Sequence, residues 1–213
     1  MWVKDLNEEE VTFMKKKTNF ILLTLLLILC GAFFGTTQKV EAATVTKVTH
    51  VVKTYQTSGF PKQYTLITGK TSSGKTVWTY KTKACAAAGG RSATLQVKGS
   101  SVYIVDDKTF VRLSKQTGKV LAKKSSKYLY GWMGAMAVDN NGNSYSMGKY
   151  ATYLVKVNKS GTVKWKCNMN AYSGYEFADK VTVSGNKVTV RFGYAGVKVV
   201  VNSSTGKVMQ YIR

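Results

Sequence analysis

The strongest constraint on the fold is a repeat of about 44 residues that runs through the second part of the sequence. Turn-forming glycines recur at intervals of 44, 43 and 45 residues, at Gly74, Gly118, Gly161 and Gly206. Branched aliphatic residues that precede them recur every 44 residues, at Ile67, Val111, Val155 and Val199. A second set of glycines recurs every 43 residues, at Gly99, Gly142 and Gly185. Because independent landmarks share one period, the sequence predicts a chain of repeated structural units.

Each unit has the pattern of four short strands joined by tight turns. The second unit, for example, runs "SATLQV", "SVYIV", "TFVRL" and "KVLAK", with turn-forming residues between these segments. Valine, threonine and tyrosine fill the strands, and no sustained helical period follows residue 43. Four strands at this period are typical of a β-propeller blade. We therefore predict an all-β, propeller-like domain over 43–213, with about four four-stranded blades at about 44–83, 90–125, 132–168 and 176–213.

Two tryptophans occupy the same place in their units. Trp78 follows Gly74 by four residues, and Trp165 follows Gly161 by four residues. A large flat side chain at this point of the last strand would be a wedge between adjacent blades, since one blade cannot bury its faces alone. The other two units carry Ala122 and Gln210 at this position. We interpret these tryptophans, with the four turn glycines, as structural markers of the repeat.

The ends of the units resemble a known family. The segments "SSGKTVW", "TGKVLAK", "SGTVKW" and "STGKVMQ" each follow an alternating apolar strand, and they resemble the end of PQQ-like β-propeller repeats, where a blade ends in a pattern such as "TG.vvW". The stretch "AVDNNGNSY" also suits that type of blade. The resemblance covers about residues 60–213 and implies a propeller fold. It implies little about function, because many propellers of this kind bind no quinone and serve as extracellular or envelope scaffolds.

The number of blades leaves the overall assembly open. Propellers of this family usually have seven or eight blades, whereas this sequence provides about four. Three arrangements fit: a compact four-unit ring, an open arc that pairs with a second chain as a homodimer, or a piece of a longer propeller. We slightly favour the ring, because an open arc would expose long edge strands, which proteins normally avoid.

The first 42 residues have the pattern of a secretory signal peptide. Three lysines at 15–17 precede an apolar run from Phe20 to Phe34, and the small-residue pattern before residue 43 predicts cleavage after Ala42. The acidic segment before Met14 is unusual for such a peptide, so the natural start is expected at Met14. Leu29 before Cys30 does not fit a lipobox. We expect a secreted or cell-wall-associated protein of a Gram-positive bacterium, with no transmembrane helix after cleavage.

The charge of the expected mature chain is strongly positive. Residues 1–42 hold five basic and five acidic residues, so 32 − 5 = 27 basic and 10 − 5 = 5 acidic residues remain. Such a surface attracts polyanions. We predict an anionic cell-wall polymer or polysaccharide as the partner, or else a protein, and we do not expect nucleic acid to be physiological. The densest basic run, "GKVLAKKSSKY", supplies the predicted polyanion-binding residues Lys119, Lys123, Lys124 and Lys127.

Few residues of the expected mature chain could carry catalysis. A PQQ-dependent dehydrogenase would need a calcium site and an aspartate base. The available carboxylates are Asp106, Asp107, Asp139, Glu176 and Asp179, and three of these suit turns. We therefore predict no cofactor, metal site or catalytic residue, and a secreted binding module or scaffold at the cell surface. The alternatives are a lectin-like propeller, favoured by the 13 tyrosines, and then the quinone-dependent enzyme. Whether Cys85 and Cys167 form a disulfide stays open.

Overall fold

The structure, a computed structural model, describes residues 43–86, 92–131, 134–148, 151–173, 177–193 and 196–213. Residues 43–213 form one compact unit. The expected signal peptide, residues 1–42, lies outside the described residues, as does Glu176.

Sixteen strands and one helical turn make up the described part of the chain. The first eight strands are β1 (Lys47–Tyr55), β2 (Lys62–Lys70), β3 (Thr76–Lys81), β4 (Cys85–Ala86), β5 (Thr94–Lys98), β6 (Ser101–Asp106), β7 (Thr109–Ser114) and β8 (Val120–Ser125). The next four are β9 (Ala135–Val138), β10 (Ser144–Met147), β11 (Tyr153–Val157) and β12 (Val163–Asn168). After the turn α1 (Asn170–Ser173) come β13 (Ala178–Ser184), β14 (Lys187–Phe192), β15 (Lys198–Asn202) and β16 (Val208–Ile212).

The strands form four antiparallel sheets of four strands each, which confirms the predicted all-β, propeller-like fold class. In the second, third and fourth sheets, each strand pairs with its neighbour in sequence. The first sheet differs, because its order is β1-β2-β3 and the short β4 pairs with the start of β2. The nine-residue β1 is one long strand that pairs with β2 along its whole length.

Burial along the strands reflects how the sheets stack. On β14 of the fourth sheet, Val188, Val190 and Phe192 are buried, whereas Lys187 and Arg191 are exposed. Side chains of a strand point alternately to its two faces, so this strand buries one face against the neighbouring sheet, whereas β6 of the second sheet is buried on both faces. The pairing of the last two strands of each repeat also shifts register once per repeat, after Gly69, Arg112, Lys156 and Val200. Such bulges increase the local twist of a sheet.

Among the described residues, the core has three hydrophobic clusters, one between each pair of consecutive sheets. The first cluster includes Ile67 and Leu113, from the first and second sheets. The second includes Phe110 and Val155, and the third includes residues of the third and fourth sheets such as Leu154. A closed ring of four sheets would need a fourth cluster, and none joins the fourth sheet to the first among the described residues. The described residues therefore give no support to the expected four-unit ring, and we call the series of four sheets the arc.

Candidate polyanion-binding surfaces

The two tryptophan markers lie between consecutive sheets and make the same contacts. The indole N–H of Trp78, on β3, donates to the backbone carbonyl of Lys115 at 2.8 Å. The indole N–H of Trp165, on β12, donates to the carbonyl of Ser203 at 3.0 Å. Each acceptor lies in the last turn of the following sheet. Trp78 is only 8% exposed. The repeated residues therefore join neighbouring sheets, and their position gives no sign of a ligand site.

The four lysines predicted to bind polyanions are all exposed, but the structure does not bring them together on one face. Lys123 and Lys124 are consecutive residues of β8, so their side chains point to opposite faces of the sheet. Lys123 lines a cleft beside the first sheet, with Tyr80. Lys124 faces the third sheet, where its Nζ lies 3.2 Å from the Thr162 hydroxyl. Lys119 and Lys127 lie beyond the two ends of the strand.

Lys127 belongs instead to a small aromatic cluster that the charge pattern alone does not show. The rings of Tyr128 and Tyr153 meet edge to face with centroids 5.9 Å apart. The Lys166 ammonium lies 3.6 Å from the centre of the Tyr128 ring, and that of Lys127 lies 5.4 Å from it. A hydrogen bond with Lys166 and the charge of Lys127 lower the pKa of the Tyr128 hydroxyl. The cluster offers two aromatic faces beside two cations, a combination that suits sugars or anions.

A polar cleft of about 570 Å³ lies between the third and fourth sheets, with Asp139 in its wall. The Asp139 carboxylate accepts hydrogen bonds from the backbone N–H groups of Asn141 and Asn143, from the Asn143 side chain, and from the Tyr145 hydroxyl at 2.9 Å. Burial alone would raise the pKa of Asp139, but these hydrogen bonds outweigh it and lower the pKa. Burial and the same contact with Asp139 raise the pKa of Tyr145. The carboxylate thus holds the "DNNGN" turn together.

The described carboxylates do not fit the calcium site that a quinone-dependent enzyme would need. The Asp139 carboxylate accepts hydrogen bonds within its own turn, and Asp179 forms an ion pair with Arg191 at 2.6 Å. Asp106 and Asp107 line the cleft between the first and second sheets together with lysines. Within the described ranges, no three residues of the types His, Cys, Asp and Glu lie together.

The two cysteines of the domain lie in different sheets. Cys85 is in β4 of the first sheet and Cys167 is in β12 of the third, and no disulfide joins them. Burial raises the pKa of the Cys167 thiol, so this thiol is protonated at neutral pH.

A surface with several lysines lies on the first sheet, where the sequence-based prediction did not place one. The face of this sheet that points away from the second sheet carries five lysines. They are Lys47, Lys53, Lys62, Lys70 and Lys81. On the same face the rings of Tyr55 and Tyr64 lie with centroids 6.1 Å apart, and the Lys81 ammonium is 4.0 Å from the centre of the Tyr64 ring. We call this surface the outer face of the first sheet. In the sequence, the alternating segment "KVTHVVKTY" was the signal that could have predicted this outer face.

Comparison with known proteins finds partial similarities among solved structures. No protein-family model and no curated protein matches the sequence. Among solved structures, BamB from Moraxella catarrhalis is similar with 20% identity and a TM-score of 0.49, over 73% of this chain and 46% of that one. A protein of unknown function from Bacteroides caccae is similar with 14% identity and a TM-score of 0.48, over 73% and 57%. The Pan2 WD40 domain of Neurospora crassa is similar with 8% identity and a TM-score of 0.48, over 71% and 46%.

These similarities are partial, because the chain spans about half the length of the solved structures that it matches. The description as a propeller-like arc therefore depends on the strand pairing of this chain itself. In the described ranges, no helix is both long enough and apolar enough to span a membrane.

Proposed function

We propose that this protein is a secreted, basic binding module or scaffold that contacts anionic polymers at the bacterial cell surface, without catalysis. The observation that carries this proposal is the charge of residues 43–213. They include 27 basic and only five acidic residues, so 27 − 5 = 22 cations have no side-chain carboxylate of residues 43–213 to neutralise them. A field of this strength raises the local concentration of polyanions, and binding then releases their counterions.

The distribution of charge over the arc supports the same function. Both terminal sheets turn lysines to solvent on the face that no other sheet covers: the five of the first sheet, and Lys180, Lys187 and Lys198 of the fourth. These residues are exposed or half-buried, so they are available to a ligand. A polymer that carries many anionic groups could contact several of them at once, which a small anion could not do.

The proposal is tested by measuring retention of the domain 43–213 on immobilised teichoic acid and on heparin at increasing salt. We expect binding at low salt and a steep, linear fall of log K with log salt, because counterion release dominates such binding. A domain of this charge that fails to bind either polymer at low salt would contradict the proposal. Neutral dextran is the control, and it should retain nothing at any salt concentration.

The Tyr128–Tyr153 pair supports a second candidate function, the binding of neutral carbohydrate. Two tyrosine rings in edge-to-face contact, with Lys166 over one of them, offer a stacking surface for a sugar ring. Binding of this kind would change little with salt, whereas polyanion binding would weaken strongly. A glycan-array measurement at low and high salt separates the two functions.

A further inference from the structure

We infer that the outer face of the first sheet is the primary contact for an extended, phosphodiester-linked anionic polymer that lies along β1. This inference rests on the proposed function and assigns it to one surface. The face is defined by the pairing of β1 with β2 and of β2 with β3, in which Lys53 lies opposite Tyr64 and Tyr55 lies opposite Lys62. The other face of the same sheet packs on the second sheet through Ile67 and Trp78.

The strands of the first sheet supply no carboxylate that would compete with a ligand. From residue 43 to residue 105 the sequence has no aspartate or glutamate, and the first carboxylate is that of Asp106. The lysines of the face therefore have no carboxylate neighbour within their own sheet. By contrast, the outer face of the fourth sheet holds Asp179, which neutralises Arg191 through an ion pair. An anionic polymer would meet an uncompensated array of cations on the first sheet and a partly compensated one on the fourth.

The lysines form two groups that are separated along the strands. Lys53, Lys62 and Lys81 lie at one end of the face with the two tyrosines, and Lys47 pairs with Lys70 at the other end. Lys53 follows Lys47 by six positions, which corresponds to roughly 20 Å of extended strand. A single phosphate cannot reach both groups, whereas an extended polymer with repeated anionic groups can. Binding strength should therefore increase with the length of the polymer until it spans both groups.

The side chains at the centre and edge of the face favour a polymer with an apolar backbone between its charges. Val51 is 46% exposed and Tyr55 is 40% exposed, and both lie on this face between or beside the lysines. All five cations are lysines, which act as compact point charges and bind phosphate without the fixed bidentate geometry of arginine. Isolated charges beside exposed carbon surface suit a flexible chain of phosphodiesters.

A second copy of this chain does not fit the same surface. The outward faces of the two terminal sheets are both basic, so stacking the first sheet of one copy on the fourth sheet of another would bring cations together. Like charges that face each other across an interface oppose association. The charge of the surface therefore favours an anionic partner.

The experiment compares two triple variants that change the net charge by the same amount. Lys53→Gln/Lys62→Gln/Lys81→Gln removes the group beside the tyrosines, and Lys180→Gln/Lys187→Gln/Lys198→Gln removes three exposed lysines of the fourth sheet. Binding of glycerol-phosphate polymers of defined length is measured by calorimetry between 50 and 300 mM salt (about the range where counterion release is measurable). Circular dichroism and urea unfolding establish that both variants are folded.

We expect the first variant to weaken binding by at least about tenfold. The slope of log K against log salt should become shallower by roughly two, because each lost phosphate contact reduces its magnitude by about 0.7–0.9. The fourth-sheet variant should weaken binding less than threefold, because its lysines contribute through the general field and through secondary contacts only. Equal weakening by both variants would contradict the assignment of the surface but leave the proposed function intact. If the unmodified domain binds no polymer at low salt, the proposed function itself fails.

Two further outcomes would also contradict the assignment. Binding to heparin but not to the glycerol-phosphate polymer would identify a sulfated polysaccharide as the ligand. Phe60, 87% exposed between β1 and β2, could insert into a membrane. Binding to vesicles of anionic phospholipid but not to the polymer, with loss of that binding in Phe60→Ser, would identify a lipid surface.

Discussion

Two of the three interfaces in the arc are built around a tryptophan, and the middle one is not. Trp78 joins the first sheet to the second, and Trp165 joins the third to the fourth, each through an indole N–H bond to a turn carbonyl. Between the second and third sheets, the position belongs to Ala122. There the aliphatic part of Lys124 and the ring of Phe110 cover the turn at Gly161.

The difference shows that each repeat leaves the same space beside the turn of the following sheet, and that different side chains can fill this space. A β-carbon placed on Gly118 would lie 2.7 Å from the Trp78 ring, and one on Gly206 would lie 2.8 Å from the Trp165 ring. At Gly161 the nearest atoms, those of Lys124 and Phe110, would lie 3.1 to 3.2 Å away. The tryptophan interfaces are thus packed closely against a bare backbone, while the middle interface leaves more room and is covered by a flexible chain.

The largest effect is expected from removing a tryptophan. Trp78→Ala should lower the free energy of unfolding by about 3–5 kcal/mol, because it empties a buried space and leaves the Lys115 carbonyl without its donor. Trp165→Ala should have a somewhat smaller effect, since Trp165 is only partly buried. Urea unfolding followed by circular dichroism measures both changes.

The matched control for this prediction is Phe60→Ala, which removes an aromatic ring that is 87% exposed. It should change the free energy of unfolding by less than about 0.5 kcal/mol. Polymer binding by any tryptophan variant that remains folded should be unchanged. A fully stable Trp165→Ala protein that no longer binds the polymer would show that Trp165 contacts the ligand.

A smaller and more specific effect is expected at the turn glycines. Gly118→Ala and Gly74→Ala both place an alanine at a positive φ, of 68° and 85° respectively. This backbone conformation costs about 1–2 kcal/mol for residues other than glycine. Gly74 has nothing within 4 Å, whereas Gly118 lies under Trp78. Gly118→Ala should therefore lose about 1–3 kcal/mol more than Gly74→Ala, because it overpacks the interface.

The double variant Trp78→Ala/Gly118→Ala separates packing from backbone strain. Gly118→Ala is expected to lower the free energy of unfolding more than Gly74→Ala does. If contact with the indole causes this difference, Gly118→Ala should lower the free energy of unfolding by less when Trp78 has already been replaced. Strict additivity of the two changes in the free energy of unfolding would show that the indole and the turn are not coupled.

Much of the fold could be predicted from the sequence, because its signals are local and repeated. Alternating valines define the strands, and the glycine and tryptophan spacings define their phase. The closure of the arc could not be predicted in this way. It depends on whether the fourth sheet meets the first, and such a contact leaves no period in the sequence.

The candidate surface was harder to predict than the fold. The run around Lys123 and Lys124 is dense in sequence, but consecutive residues of a strand point to opposite faces, so the density is divided between two sheets. The lysines of the outer face are spread over three strands, and only the register of β1 with β2 and β3 brings them together. The density of lysines along the sequence therefore did not predict this surface. The alternation of residues within the first unit was the better signal.

The smallest effect is expected at the middle interface, where Lys124→Met tests whether charge matters. The Lys124 ammonium makes an exposed contact with Thr162 at 3.2 Å, which contributes little, while its aliphatic chain covers Gly161. Methionine keeps that chain, so we expect a change of less than about 0.5 kcal/mol. Lys124→Ala removes the cover and should lose about 1 kcal/mol. Urea unfolding measures both changes in the free energy of unfolding. Equal losses in the two variants would show that the ammonium stabilises this interface. The middle interface would then depend on a polar contact, as the two tryptophan interfaces do.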